Sequence, residues 1–483
     1  MGAGVRRRAV WGAMLVAVVG CAKPAALPLA VGTPVGGKLT AGARTANVVV
    51  VVLDAARVDH VGCYGYPRHT TPSTDALAKE AVVFRNHFAP FAATQESTIS
   101  LFTGLYPDTH RFTELQRVAP TTFTLEKALQ GAGFRTALFT SNPNCSPGVA
   151  IGEDFEEGFG NTSITEIVHA EGEEWMRPEW LAQAFGEWLS AVQGKRFFAY
   201  CHLLPPHIPY VAPSKMREQI AAEPRPPVQQ GQYEFPQTQP ELGNQRPYPA
   251  NMWEDLYDAN LRWADWGVGE IARVLAKAGV LDNTLLIVTA DHGEGFGEHG
   301  YAFHGRSVYD EVVHIPLVIR FPGPQRLVGE VTPLTQTVDL LPTILGLSGV
   351  SYPAAVQGKS LLPLLTGERS GVREYAFARA DGDWPNYLMR NAAWSLILYR
   401  GGRLRALYDL KRDPAQRKNV IAEHKEEARK LVGVFEVFAR TQVAALTAFV
   451  SPQAAGTAPP GKTRGRQLSD ETRRQLRALG YVR

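Results

Sequence analysis

Cysteine is scarce, with four residues in 483. Setting aside Cys21, which lies in a leader-like N-terminus, leaves Cys63, Cys145 and Cys201. An odd number in an exported chain argues against a disulfide framework, and their spacing is not that of a zinc finger. Neither sign of charge dominates. Fifty Lys and Arg against 47 Asp and Glu leave a net +3, which makes no case for nucleic acid as a partner. No repeat of fixed period is present, which removes solenoids and propellers. Apolar residues make up 45% and charged residues 20%, as in ordinary soluble globular proteins. At 52.9 kDa the chain is too long for one simple core, so one large domain and a smaller one are expected.

The first residues are not fold. Arg6-Arg7-Arg8 is a basic n-region, and the apolar stretch from Ala9 to Val19 is too short to span a bilayer. It ends in Val18-Val19-Gly20-Cys21, which resembles the lipobox of bacterial lipoproteins, whose cysteine is acylated. An ordinary signal peptide cleaved nearby is the alternative. Residues 1–21 are therefore expected to be a lipoprotein signal, with Cys21 the lipidation site. Several acyl chains, at about 0.8 kcal/mol per buried CH2, would hold the protein at a membrane of the bacterial cell envelope. Residues 22–45, rich in Ala, Pro and Gly, read as a flexible stalk.

Beyond the stalk, strand and helix signals alternate. Asn47–Leu53 is apolar throughout and reads as a central parallel strand. Thr71-Pro72-Ser73-Thr74-Asp75 opens a short helix. A second short helix starts near Ser97 and stops at Gly104, with Thr94 at its mouth. Leu125–Ala132 and Glu179–Val192 read as helices, Arg135–Thr140 and Arg196–Leu203 as strands. Residues 211–250 are Pro- and Gln-rich and are expected to form an insertion or lid. A long helix from about Trp253 to Lys277 leads to the strand Thr284–Thr289. Val312–Phe321 reads as a further strand, and Asp339-Leu-Leu-Pro342 opens a helix. From about Tyr375 short antiparallel strands follow, then a charged helix near Ala422–Thr441. The pattern predicts an α/β fold in which a large, mostly parallel sheet is flanked by helices, with a small antiparallel C-terminal subdomain. The expected divisions are a catalytic domain at 46–370, a C-terminal subdomain at 371–450, a linker at 451–466 and a terminal helix at 467–483.

The chemistry concentrates at Asp291-His292-Gly293-Glu294-Gly295-Phe296-Gly297-Glu298-His299-Gly300. A carboxylate and an imidazole just past a strand's carboxyl end face the crevice where open α/β sheets bind ligands. Oxygen beside nitrogen suits a borderline divalent cation. A loop Asp beside a surface His accounts for the triplet equally well unless the rest of a site lies elsewhere.

Further stretches supply that remainder. Val52-Leu53-Asp54-Ala55-Ala56-Arg57-Val58-Asp59-His60, Thr71-Pro72-Ser73-Thr74-Asp75 and Ser100-Leu101-Phe102-Thr103-Gly104-Leu105-Tyr106-Pro107 come first. Pro206-His207-Ile208-Pro209-Tyr210, Asp291-His292-Gly293-Glu294 and Gln357-Gly358-Lys359-Ser360-Leu361 follow. Leu407-Tyr408-Asp409-Leu410 with Asp413-Pro414 and Asn419 closes the series. In their order and spacing these resemble the sulfatase family of the alkaline-phosphatase superfamily, over nearly all of the chain after its leader. The chain departs from the family at the nucleophile. Sulfatases of the main type carry a Cys or Ser in C/S-x-P-x-R that becomes formylglycine. Here the corresponding position is Thr94, and Glu96 and Thr98 replace the motif's Pro and Arg. Cys145-Ser146-Pro147 lacks the Arg and follows the wrong strand. A Thr here resembles the nucleotide pyrophosphatases and the phosphoethanolamine and lipoteichoic-acid transferases of the same superfamily.

That resemblance implies a ligand set of Asp54, Thr94, Asp291 and His292 around one divalent metal ion. A threonine hydroxyl is a poor nucleophile until a base or cation activates it. Sulfatases carry a second Asp where this chain has Ala55, and losing an oxygen ligand favours Zn2+ or Mn2+ over Ca2+. His304 and His207 resemble substrate-facing histidines of the family. His202 and Arg306 are candidate substrate contacts, against a core histidine and an exposed arginine as the plain alternatives. Arg57 and His60 are expected to shape the first loop, and His299 to brace the Gly-rich turn. The leading expectation is a hydrolase of phosphate or sulfate esters acting on a small-molecule, lipid or glycan substrate. Transfer to a membrane or glycan acceptor is one alternative, and a non-catalytic surface-binding lipoprotein the other.

Overall fold

The computed structural model describes residues 44–112, 118, 122–145, 154–160, 177–225, 250–324, 326–381, 386–399 and 403–449. The expected signal, Cys21, the stalk, the linker, the terminal helix and most of the 141–178 and 211–250 loops lie outside them. Among the described residues no helix is long and apolar enough to cross a membrane.

Eight strands form the main sheet. They are β1 (Asn47–Leu53), β2 (Val82–Phe84), β3 (Arg135–Thr140), β4 (Glu157–Gly160), β5 (Phe197–Leu203), β6 (Thr284–Thr289), β7 (Leu317–Arg320) and β8 (Gly329–Val331). Their order is β8-β2-β7-β6-β1-β5-β3-β4. β6, β1, β5, β3 and β4 run parallel, whereas β7 is antiparallel to both its neighbours.

β1 is central and wholly buried, in keeping with its apolar side chains from Val48 to Leu53. Successive side chains of a strand point to opposite faces. Val48, Val50 and Val52 accordingly join one core with Ile99, Phe102, Leu341 and Ile344. Val49, Val51 and Leu53 join the other with Leu181, Phe185, Leu261 and Ile271. The first core is covered by α2 (Thr94–Thr103), α3 (Leu125–Gly131) and α6 (Leu340–Ser348), the second by α4 (Pro178–Ala191) and α5 (Ala250–Lys277). A short helix, α1 (Pro72–Ala78), adjoins α5 and donates two backbone N–H groups to it: Asp265 accepts from Ser73 N at 2.6 Å and Thr74 N at 2.8 Å. Burying each β1 side chain from Val48 to Leu53 contributes about 1.5–3 kcal/mol.

The second layer is an antiparallel sheet of β9 (Ala376–Ala380), β10 (Asn386–Arg390), β11 (Trp394–Tyr399) and β12 (Arg403–Asp409). Met389, Leu396 and Leu398 pack under α7 (Lys425–Phe449), while Leu388 and Ile397 face Phe88 and Tyr309 of the larger unit. One junction matters for the site. Arg379 N donates to Pro90 O at 3.0 Å, and Ala92 N donates to Arg379 O at 3.0 Å, so β9 fixes the approach to Thr94.

Two expectations need correction. Val312–Phe321 is not one strand: Asp310–Val313 is a helical turn, His314–Ile315 pairs elsewhere, and only Leu317–Arg320 joins the main sheet. Pro316, which lacks an N–H, separates the two pairings. Within 211–250 the described residues include a helix, Ser214–Ala221, whose Ile220 and Met216 find apolar partners in Leu204 and Trp263. The charged helix runs over Lys425–Phe449, starting later than expected because Asn419 Oδ1 accepts from Leu407 N and Ile421 N and holds the preceding chain in turns.

Candidate active site

Register builds the site. β1 pairs Val52 with His202 of β5 on one side and with Thr289 of β6 on the other. Asp54, two residues on, therefore emerges beside Asp291, two residues past Thr289. Asp54, Asp291 and His292 each offer a ligand atom, all within 4.8 Å of one another. His292 Nε2 lies 3.6 Å from Asp54 Oδ1 and 3.6 Å from Asp291 Oδ2. Thr94 is the first residue of α2, and its Oγ1 stands 3.2 Å from His292 Nε2. Ser97, one turn on, donates to the Asp291 carbonyl at 2.6 Å, which ties the helix to the carboxylate loop.

Each group has one atom fixed by the protein and one left over. Asp54 Oδ2 accepts from His202 Nε2 at 3.1 Å and from Asn142 Nδ2. Asp291 Oδ1 accepts from Ala55 N at 3.1 Å and His292 N at 2.9 Å. His292 Nδ1 donates to Gly293 O at 2.8 Å, so Nε2 carries the free lone pair. Asp54 Oδ1 and Asp291 Oδ2 are buried with no hydrogen-bond partner. Two orphaned carboxylate oxygens and a bare imidazole nitrogen, converging with a hydroxyl, are the donor set of a divalent cation. These residues fit the metal site that the resemblance implies.

Electrostatics agree. Burial alone would raise Asp54, but the charge of His207, the His202 hydrogen bond and the charge of His292 together hold it well below the usual carboxylate range. Burial lowers His292, and Asp291 and Asp54 more than reverse that. The cluster is rich in negative charge.

The structure also brings His207 and His304 in. The His304 ring centroid is 4.3 Å from that of His292 and 4.8 Å from that of His207. Burial first, then the charge of His292, lowers His304 to about 3, and burial lowers His207. His202 is fully buried between Tyr200 and Asp54, behind the carboxylate rather than at a substrate-facing edge. Arg306 is exposed, with its carbonyl accepting from Asn386 Nδ2. Arg57 binds Glu298 at 2.5 Å, Asp59 at 2.9 Å and the Glu294 carbonyl at 3.0 Å, bracing the first loop against the Gly-rich turn. His299 bonds Glu311 at 2.8 Å and lies stacked on Tyr309. Two contributors were missed. Asn142 follows β3 at the same carboxyl edge as Asp54, which could have marked it. Ala55 takes φ +62° to aim its N–H at Asp291, which no sequence pattern signalled.

The comparisons converge on this architecture. Residues 46–350 match the sulfatase family model, and residues 297–433 match the model for the N-sulphoglucosamine sulphohydrolase C-terminal region. The chain belongs to the sulfatase family, within the alkaline-phosphatase superfamily. An N-acetylglucosamine-6-O-sulfatase of Bacteroides thetaiotaomicron is 30% identical over 192 residues, 37% of this chain and 34% of that protein. The match thus spans about a third of that relative's length. The multifunctional alkaline phosphatase superfamily protein PehA of Trinickia caryophylli is 26% identical over 66% of this chain and 77% of its own. The crystal structure of a phosphonate monoester hydrolase of Agrobacterium radiobacter superposes with a TM-score of 0.65 at 22% identity, covering 83% of this chain and 96% of that one. Sulfatase-family enzymes use a divalent metal, and the Asp54–Asp291–His292 cluster could hold one here.

Proposed function

We propose that the chain is a metal-dependent hydrolase of phosphate esters, with sulfate esters as the secondary class, and that Thr94 is its nucleophile. The observation that carries this is the Thr94 hydroxyl, 3.2 Å from His292 Nε2 at the first position of a ten-residue helix. The N-terminal N–H groups of such a helix favour an anion. Asp54, Asp291, His292 and Thr94 would hold the cation. When bound, it would neutralise the carboxylates and make a hydroxyl beside it more acidic. Thr94 Oγ1 would give up its proton and attack phosphorus in line, its bond to phosphorus forming as the ester P–O bond breaks and the leaving oxygen takes the electron pair and a proton to depart as the alcohol. His304 and His207 would stand beside the leaving oxygen, and water would then release the phosphoryl group from Thr94.

A threonine cannot become an aldehyde hydrate, which sets this chain apart from formylglycine sulfatases and favours phosphorus over sulfur. The named activities of the relatives, sulfate ester and phosphonate monoester hydrolysis, bracket the same reaction type. Zn2+ or Mn2+ is proposed over Ca2+ on the His292 ligand and on Ala55. Tethering through Cys21 would place the activity at a membrane face of the cell envelope, toward small-molecule, lipid or glycan esters.

The test is a screen of phosphomonoesters, phosphodiesters and sulfate esters with native protein whose metal content has been measured. Thr94→Ala and Thr94→Ser are assayed beside it, with intact mass after vanadate or slow-substrate trapping. An adduct on Thr94 and partial activity in Thr94→Ser are expected. Full activity in Thr94→Ala with Asp291→Ala dead would show direct attack by water.

A further inference from the structure

We propose that His299 is a positioning residue: sharing one proton with Glu311, it latches the loop that carries Asp291 and His292 to the C-terminal subdomain, and the latch opens when that proton leaves. The proposal rests on the reading of Asp291 and His292 as metal ligands, and it gives a part to the subdomain, to which that reading assigns none.

Both imidazole nitrogens of His299 face oxygen. Nδ1 lies 2.8 Å from Glu311 Oε1, and Nε2 lies 3.1 Å from the Gln416 carbonyl oxygen. A carbonyl only accepts, so Nε2 must carry a proton. A second proton must lie between Nδ1 and Oε1, on whichever of the two atoms it resides. The contact therefore holds two protons, one more than a neutral imidazole beside a carboxylate would bring with a single N–H. Removing one opposes two lone pairs at one end or the other, whichever nitrogen keeps its hydrogen. This count does not depend on how the pair divides its charge. The two side chains are only 11% and 7% exposed, so water has little access to relieve the clash. Burial alone would lower the imidazole, but the hydrogen bond and charge of Glu311 raise it, and burial raises the Glu311 carboxyl.

The two ends of the contact belong to different parts of the molecule. On the site side, the Glu311 backbone carbonyl accepts from Glu294 N at 3.0 Å and Val312 O from Gly293 N at 2.7 Å, directly after the two ligands. Gly293 admits no side chain there, because a Cβ would run into the Glu311 carbonyl. On the other side, Gln416 lies between β12 and α7, buried and at φ +55°. Its side-chain amide donates to Asp310 Oδ1 at 3.1 Å and to Ser395 Oγ of β11 at 2.9 Å. The His299 ring also lies flat on Tyr309, with centroids 3.7 Å apart and planes at 3°, and the Tyr309 hydroxyl is 3.0 Å from that of Tyr408 in β12. The other charged or titratable groups around the pair are Glu298 and Arg57, which bond each other, Asp310, which bonds Arg390, and Tyr309, Tyr408, Tyr301 and Arg405. Opening the latch frees the Glu311 side chain, whose backbone supports the peptide after His292, and parts it from the subdomain in the same step.

The test is hydrogen exchange of the full, metal-loaded chain from about pH 5 to pH 10, comparing wild type with His299→Ala and Glu311→Gln after correction for intrinsic rates. In wild type, protection over 293–300 and 413–416 should hold at low pH and then fall in both segments together, by about tenfold per pH unit, the slope of one proton. In Glu311→Gln the new amide can donate to a bare Nδ1 while Nε2 still donates to Gln416. That variant should stay protected and lose the pH step. His299→Ala should be unprotected at every pH. With metal and substrate saturating, wild-type kcat should fall relative to Glu311→Gln across the same step, on the order of tenfold, with KM unchanged. No step in wild type, the same step in Glu311→Gln, a flat kcat ratio, or wild-type protection in His299→Ala would overturn the proposal. If His299→Ala does not fold, the Glu311→Gln comparison decides alone. Failure of Asp291→Ala to weaken metal binding is a different result: it removes the reading of the site, while exchange in metal-free protein still decides the latch.

Discussion

Asp54 at the carboxyl end of β1 and Glu126 at the start of α3 are both carboxyl groups with no solvent exposure, and they are pushed in opposite directions. Around Asp54, two donors hold one oxygen and three imidazoles supply positive charge, so the group stays ionised despite burial. Glu126 has the Thr124 hydroxyl on one oxygen and nothing on the other. Burial therefore dominates and raises it to about 8. One carboxyl is kept as a charge that wants a cation, and the other is kept as an acid. The difference lies in how many donors the fold brings to each, not in depth.

The largest effect should come from breaking the charged side of this comparison. Asp291→Ala removes an orphaned oxygen and should lower both bound metal and turnover by on the order of a thousandfold or more, as expected for a residue acting in the transition state. Chelation of the wild type should do the same, and added Zn2+ or Mn2+ should restore it. Metal analysis beside the rate is the check, and metal-free protein with full activity would refute it.

Next comes the support behind Asp54. His202→Ala should weaken metal affinity by roughly ten- to a hundredfold while leaving saturated kcat within a few-fold, because His202 orients a ligand rather than meeting substrate. A metal titration measures the first and a saturating assay the second. A KM effect with unchanged metal affinity would return His202 to the substrate side.

The neutral side is tested through pH. A carboxyl raised from 4.5 to about 8 in the folded protein keeps its proton where the unfolded chain has lost it. Its contribution to stability is therefore full below pH 4.5 and is lost as pH rises toward 8, at roughly 1.4 kcal/mol per unit. Glu126→Gln should flatten that part of the profile, gaining on the wild type between pH 5 and pH 8 in denaturant melts. Parallel profiles would show that Glu126 is ionised in the fold. The smallest effect belongs to Arg306→Ala: an exposed side chain should change stability by less than about 0.5 kcal/mol. A rise in KM without a change in melting would identify it as a substrate clamp.

The sequence by itself determined a good deal. An unbroken apolar run fixed β1 as central, the alternation of runs gave helices on both faces, and Asp54 and Asp291 each stood where a strand stops and a crevice begins. Thr94 could be counted to from Thr103-Gly104. These were legible because strand burial, caps and breakers are written in consecutive residues. What tertiary structure alone decided is how the pieces meet. The β1 register against β5 and β6 set Asp54 beside Asp291 and put His202 behind them. Asn142 became a ligand's partner only through the sheet order that places β3 beside β5. The contacts of His299 with Glu311 and Gln416 depend on the Gly-rich turn meeting the C-terminal subdomain. None of these has a local signature, because hydrogen-bond partners at a site are chosen by distance in space, and the chain carries no record of that distance until the sheet has formed.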